Sequence, residues 1–550
     1  MPPEERAVRG PGGLCYNRGM GRFLLIGLDG ADPALTEQWM AEGRLPHLAR
    51  LRDDGGAFMP LRSTTPPATF PAWTTCVTGV NPGRHGIFDF TETVPGAHAV
   101  RFVNSSYRKA PALWDILSRA DKRVGVLGVP ATYPPEKVNG FMVAGFDSPV
   151  ATRIDPSFVY PPMLYPEVKG WRFADFQEDN IGPRWHARAL PSLLEGVDKK
   201  AAIACKLLRR EPWDFFMVVF GESDTVAHHF WMFHDPDSPR YRPGMEFAIR
   251  AVYQRLDDAV GRLMDAAGDD ITVAVMSDHG FGGAGTGVVH LNNWLAEQGY
   301  LRFAPGSGGA LKWLALTLVP GHWRGVAFRR LRPLAARVES RARFSGIDWR
   351  RTRAWSEELN YFPSIRINLR GRDPQGCVDP LEYDTLVEEL CARLEAWPPV
   401  ARAWPRATLY EGPYVEQAPD IIVELALENG YSYSCLRARG GPSFRRIRPD
   451  EAVGGRERGM NGNHRPMGVL FLSERANRTT ASLEDIAPTV LATLGVPAPA
   501  MDGRSLLGNV AAGADPPDNR ADMPPDEARP YTPEEETRLE KRLRALGYYE

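Results

Sequence analysis

Asp224 and His228 lie four residues apart in GESDTVAHH, directly after the apolar run FFMVVF. A second acid and imidazole pair, Asp278 and His279 in SDHGFGG, follows the run ITVAVM. Aspartate and histidine are the donors of borderline divalent metals. The i, i+4 spacing puts Asp224 and His228 on one helical face, with His229 turned away from it. The glycines after His279 allow close backbone approach. Asp29, in LLIGLDG, ends a third apolar run and reads either as a further ligand or as the N-cap of the helix that follows. His464, in GMNGNHRPMG, precedes a fourth run, GVLFL. Three aspartates and three histidines suffice for two metal sites. Zinc suits this donor mixture best, manganese and iron also accept it, and calcium, which prefers an all-oxygen shell, is disfavoured. A dinuclear site activates an oxygen nucleophile, and residues 63–90, STTPPATFPAWTTCVTGVNPGRHGIFDF, place hydroxyls ahead of a helical pattern. Thr69 is the candidate, beside a helix amino terminus able to hold phosphate oxygens, and N-capping by Thr69 is compatible with that role.

The elements that must position these residues are short. FLLIGL (23–28), RVGVLGV (123–129), FFMVVF (215–220), ITVAVM (271–276) and GVLFL (468–472) read as buried strands. Between them, 31–43, 47–55, 191–210 and 244–268 carry helical periodicity. Alternation of this kind predicts a doubly wound, mostly parallel α/β sheet, whose ligands gather at the carboxyl ends of the strands. The core is expected to span 20–300 and resume over 456–510. Residues 301–455 read as an inserted α+β cap, with a helix over 379–395 and a strand over 419–425. A leader, 1–19, is expected to be disordered. Residues 511–550 read as a Pro/Asp-rich linker and a terminal helix capped by Thr532 and Glu535, whose stripe of Leu539, Leu543 and Leu546 suits docking on the body.

Composition bounds the function. With 43% hydrophobic and 24% charged residues, the 550-residue chain is an ordinary globular one. Its 66 basic and 68 acidic residues leave a net charge of −2, so no broad positive field favours nucleic acid. Six cysteines without paired spacing fit a reducing compartment, and neither a signal peptide nor a membrane-spanning run is apparent, so a cytoplasmic location is expected. The basic, leucine- and tryptophan-bearing segment 312–353 reads as a solvated cap face or as a peripheral contact with an anionic membrane.

ATFPAW around Thr69, VTGVNPGRHGI, DTVAH, SDHG, GNHRP and DIAPTVLATLGVPAPAMDGRSLLG (485–508) together resemble the alkaline phosphatase superfamily over about 22–508. The type I phosphodiesterase/nucleotide pyrophosphatase branch, with its bacterial predicted phosphohydrolases and phosphomutases, is the nearest in motif. The resemblance implies one metal held by Asp29, Thr69, Asp278 and His279, and another by Asp224, His228 and His464. It also implies that Thr69 attacks a small phosphoester in line and that water cleaves the phosphothreonine, with net retention at phosphorus. A phosphomutase, a phosphomonoesterase or a non-catalytic phospholigand or membrane-surface binder is the alternative. Ala72 stands where nucleotide pyrophosphatases commonly carry an asparagine that contacts phosphate. Arg84 and Arg465 are candidates for a phosphate clamp. Cys76 lacks the Pro-x-Arg sequel of sulfatases and reads as helix packing, while His85 and Asp89 read as hydrogen-bond partners of the ligands or as a turn.

Overall fold

The computed structural model describes residues 21–145, 154–172, 185–304, 344, 346–358, 363–438, 440–447 and 460–508, with Tyr531 and Glu535. The leader, most of the basic segment and nearly all of 511–550 lie outside them. Tyr531 stacks on Tyr133, and the Tyr133 hydroxyl donates to Glu535.

A nine-stranded sheet forms the centre. Its order is Ala481–Ser482, Ala57–Arg62, Met467–Leu472, Ile271–Met276, Arg22–Leu28, Phe215–Phe220, Val124–Leu127, Gly140–Val143 and Val159–Tyr160. Met467–Leu472 and Val159–Tyr160 run against the rest, so the last apolar run of the core, GVLFL, enters antiparallel. Its neighbours follow the mostly parallel expectation.

Both faces of the sheet are covered, as continuous apolar strands require. Along the first strand Leu24, Ile26 and Leu28 enter one apolar cluster, and Phe23 and Leu25 the other. Helices Pro33–Ala41, Pro46–Asp53, Trp185–Arg210, Glu222–His234 and Ala248–Ala267 bury apolar residues in the first cluster. Thr69–Thr78, Leu113–Arg119 and Ile486–Thr493 do so in the second, where Cys76 is fully buried. The helix expected from 191 begins earlier, at Trp185, so that Pro191 lies inside it and leaves one i→i−4 amide bond unmade.

Three smaller sheets are present among the described residues, one of them only the antiparallel pair Thr91–Thr93 and Val100–Phe102. Gly280–Val289, a glycine-rich run not expected as a strand, is a ten-residue strand. It pairs with Tyr431–Cys435, Phe444–Arg446 and Gly462–Arg465. Ala354–Ser356, Ser364–Ile367, Ile421–Leu425 and Val400–Pro405 form a four-stranded antiparallel sheet against helix Tyr383–Glu395.

Candidate metal centre

Three adjacent strands of the central sheet, Ile271–Met276, Arg22–Leu28 and Phe215–Phe220, lead into Asp278 and His279, into Asp29 and into Asp224. Strand spacing of roughly 4.8 Å brings their carboxyl ends close together. Asp29 continues the ladder through its amide, 2.9 Å from Phe220 O, and the chain then turns at Gly30, whose φ of +67° suits glycine. Asp224 lies in the first turn of helix Glu222–His234, and its Oδ1 is 3.4 Å from His228 Nε2 one turn on. That helix is buried along nearly its whole length, so it sits inside the molecule. His229 packs on Trp185, away from the cluster.

His464 arrives from the far end of the chain. Strand Gly462–Arg465 pairs antiparallel with Gly280–Gly283, and this register sets His464 opposite Phe281. Gly462 is needed there, because a Cβ would lie 2.5 Å from Ala227 O in the Asp224 helix. The His279 and His464 rings stack with centroids 3.6 Å apart, and His464 Nε2 lies 3.3 Å from Asp224 Oδ1.

All seven candidate residues are less than a tenth exposed. Each imidazole has Nδ1 against a carbonyl oxygen: His228 on Gly462 O at 3.0 Å, His279 on Gly280 O at 3.1 Å and His464 on Pro67 O at 2.8 Å. A carbonyl only accepts, so Nδ1 carries the proton and Nε2 of the neutral ring presents a lone pair. Those lone pairs converge. His228 Nε2 and His464 Nε2 are 3.1 Å apart, and His279 Nε2 is 3.4 Å from both Asp29 Oδ1 and Asp278 Oδ2.

Burial, together with the charges of Asp278 and Asp224, pushes Asp29 well above the usual carboxylate range. Burial and Asp224 do the same to Asp278. Burial also acts against the charge on Asp224, and its carboxyl falls well below the usual range only while His228 and His464 carry a proton on Nε2 towards it. Burial lowers His228 and, strongly, His279. Acids that repel, beside His228 and His279 rings that burial holds towards their neutral form, make a pocket whose strain a bound cation relieves.

The donor set fits metal ions atom by atom. Asp29 Oδ1, Thr69 Oγ1, Asp278 Oδ2 and His279 Nε2 are buried without a hydrogen-bond partner. The companion oxygens are held elsewhere: Asp29 Oδ2 accepts from Trp73 Nε1 at 3.0 Å, and Asp278 Oδ1 from Gly30 N at 3.3 Å. Thr69 and Trp73 share a face of helix Thr69–Thr78, so the turn that holds Asp29 also directs Thr69. The N-cap is Ala68, which puts Thr69 at the first helical position rather than at the cap. Asp29, Asp278 and His279 make one set of three donor atoms within 4.8 Å of one another, and Asp224, His279 and His464 make a second.

Other candidates fall outside this set. Ala72 is fully buried in the second apolar cluster. Arg84 binds Asp502 and Ala500 O, and Arg465 donates to Gly430 O at 2.9 Å. His85 Nε2 bonds Thr75 Oγ1, and Asp89 accepts from Phe90 N. Four contributors escaped sequence reasoning: Trp73, Tyr410, whose hydroxyl donates to Thr65 O in the Thr69 loop, and the serines Ser223 and Ser277. Trp73 left a signal in its i+4 offset from Thr69, and the two serines in standing directly before Asp224 and Asp278.

The mostly parallel sheet, wrapped on both faces, carries carboxylates and imidazoles at the carboxyl ends of its central strands, an architecture that agrees with the alkaline phosphatase superfamily. The family model described as Type I phosphodiesterase / nucleotide pyrophosphatase matches residues 23–439, and the chain belongs to this family. The protein is therefore a phosphoester hydrolase of a metal-dependent family. The structure of phosphonoacetate hydrolase from Sinorhizobium meliloti 1021 in complex with phosphonoacetate is similar at a TM-score of 0.51 and 16% identity, covering 87% of this chain and 96% of that one. With phosphonoformate bound, the same hydrolase gives 0.50 at 16% identity and the same coverage. Murine ectonucleotide pyrophosphatase / phosphodiesterase 5 in complex with AMP gives 0.49 at 13% identity, covering 88% and 97%. At 16% identity the likeness to the hydrolase is one of fold. A search of curated proteins gives no match. Among the described residues no helix is long and apolar enough to cross a membrane, and the five cysteines are free.

Proposed function

We propose that the protein cleaves a phosphodiester or pyrophosphate bond with Thr69 as covalent nucleophile. Two divalent ions, zinc by donor type, would be held by Asp29, Thr69, Asp278 and His279 and by Asp224, His228 and His464. The observation that carries this reading is the set of four buried, partnerless atoms on the first group, one of them the Thr69 hydroxyl. Bound there, the ions would lower the pKa of that hydroxyl and offset charge on the departing oxygen.

The chain's own residues supply the rest. Trp73 and Gly30 orient the two carboxylates, while the Gly280, Gly462 and Pro67 carbonyls fix the imidazole tautomers. Thr69 opens a helix whose positive end favours an anionic substrate. Its Oγ attacks phosphorus, the ester oxygen leaves, and the phosphothreonine is then hydrolysed by water. Two in-line displacements return the original configuration at phosphorus. Ala72 offers no polar group to the phosphate, which favours a general diester over nucleotide-specific recognition.

Turnover of bis-p-nitrophenyl phosphate and p-nitrophenyl phosphate by zinc-loaded protein tests the proposal. Diester turnover should exceed monoester turnover and fall roughly 10³-fold or more in Thr69→Ala. A folded Thr69→Ala that retains wild-type turnover would sink it.

A further inference from the structure

The aspartates that follow strands Phe215–Phe220 and Ile271–Met276 are each preceded by a serine, as Ser223-Asp224 and Ser277-Asp278. Both serines are fully buried. Each hydroxyl is spent on main-chain atoms of a neighbouring ligand turn. Ser277 Oγ accepts from Ala31 N at 2.8 Å and donates to His279 O at 2.6 Å. Ser223 Oγ donates to Asp29 O at 2.6 Å.

These bonds lie where the sheet stops holding itself together. The ladder between the first strand and Phe215–Phe220 continues as far as Asp29 N on Phe220 O. Beyond that rung the chains diverge: one turns at Gly30, one enters helix Glu222–His234 and one bends into strand Gly280–Val289. Those turns carry three buried acids, of which Asp278 already ties one turn by accepting from Gly30 N at 3.3 Å, and the serine hydroxyls add the remaining ties.

We propose that Ser223 and Ser277 are positioning residues for the metal centre, their hydroxyls standing in for the absent ladder rungs. Ser277 ties the turn after Asp29 to His279 and so governs the pair whose Oδ1 and Nε2 stand 3.4 Å apart. Ser223 ties the backbone of Asp29 to the residue before Asp224. The inference rests on the metal-binding reading of the site and adds to it what presets the spacing of the donors. Alanine cannot make these bonds, whereas threonine keeps the hydroxyl.

The test uses full-length protein, stripped and reloaded with metal. Zinc affinity is measured by competition with a chromophoric chelator, and site geometry by the absorption spectrum of the cobalt(II) form. Thr489 supplies the control. Its hydroxyl also donates to a carbonyl, Asp485 O, and accepts an amide, Leu506 N, but it lies in the helix Ile486–Thr493, away from the centre.

Ser277→Ala and Ser223→Ala should each raise the zinc dissociation constant about 10- to 100-fold and alter the cobalt spectrum, as loss of outer hydrogen-bond partners does at other metal sites. Ser277→Thr and Ser223→Thr should stay near wild type, and Thr489→Val should lose thermal stability while keeping its affinity. Alanine variants with wild-type affinity and spectrum would overturn the inference, as would Thr489→Val weakening zinc equally. Should Ser277→Ala not fold, Ser223→Ala decides the matter, because it removes a single bond. Wild-type protein that binds no zinc overturns the metal reading and this inference together. Wild type that binds two ions beside unaffected alanine variants overturns only this one.

Discussion

Trp73→Phe separates orientation of the metal centre from packing. Trp73 is fully buried, its indole nitrogen donates to Asp29 Oδ2 at 3.0 Å, and its six-membered ring lies over Gly27, where a Cβ would come within 2.4 Å. Phenylalanine keeps an aromatic body in the second apolar cluster but removes the donor and leaves a gap over Gly27. The gap should cost about 1–3 kcal/mol of stability, within the range of large-to-small core changes. A hydrogen bond to a charged acceptor contributes about 1.5–3 kcal/mol, so its loss should weaken metal binding by about 10- to 150-fold if Asp29 is a ligand. Asp29 already bears burial and two neighbouring acids, and the Trp73 donor opposes them. Without it a proton competes better with the metal, and the loss of affinity should widen as pH falls. Zinc competition at several pH values, with urea unfolding of the stripped protein, measures both terms. Lost stability with wild-type zinc affinity at every pH would refute the reasoning and reduce Trp73 to a packing residue.

Other predictions address charge elsewhere. Burial, followed by the charge of Glu357, raises the Asp89 carboxyl to about 7 despite the Phe90 amide, so the folded state holds its proton above the pH at which the unfolded chain has released it. Stability lost to Asp89 therefore grows as pH rises from about 4 towards 7 and then levels off. Asp89→Asn should gain Tm over wild type progressively across that window, and a gain that shrinks with rising pH would contradict this. Asp420 is fully buried between Arg372 and Arg406, also accepts from Tyr383 and the Ile367 amide, and is held below its usual range by them against the effect of burial. Asp420→Asn should cost about 3 kcal/mol in urea unfolding, because Arg372 and Arg406 then lose their buried shared counter-charge and keep only Asp373 and Glu416. Removing metal with a chelator should lower Tm reversibly, since each ion at a free concentration of 100 times its dissociation constant adds about 2.7 kcal/mol. An unchanged Tm on stripping would argue against a loaded centre.

The candidate donors were legible because their types and local settings are sequence properties. Asp29, Asp224 and the Asp278-His279 pair each follow a run apolar enough to be a buried strand, and a parallel sheet collects strand ends along one edge. His228 was legible through its helical offset from Asp224. His464 was legible only as a histidine among glycines, and its place was decided by pairing between residues nearly two hundred positions apart. The strand Gly280–Val289 went unread for a related reason: five of its ten residues are glycine, so neither alternation nor β-propensity marks it, and the strand exists because neighbours on both sides supply its hydrogen bonds. The direction of Met467–Leu472 was hidden too, since an apolar run carries no sign of which way its neighbours run.

The sequence by itself thus determined which side chains are available for chemistry and which strand ends deliver most of them. Tertiary structure alone decided how they meet: the Nε2 atoms turned inward, the Trp73 donor on Asp29, and the serine bonds that lock one ligand turn to the next. Hydrogen bonds between segments distant in the chain have no period or spacing to betray them. They depend on register, and register is fixed only when the whole sheet assembles.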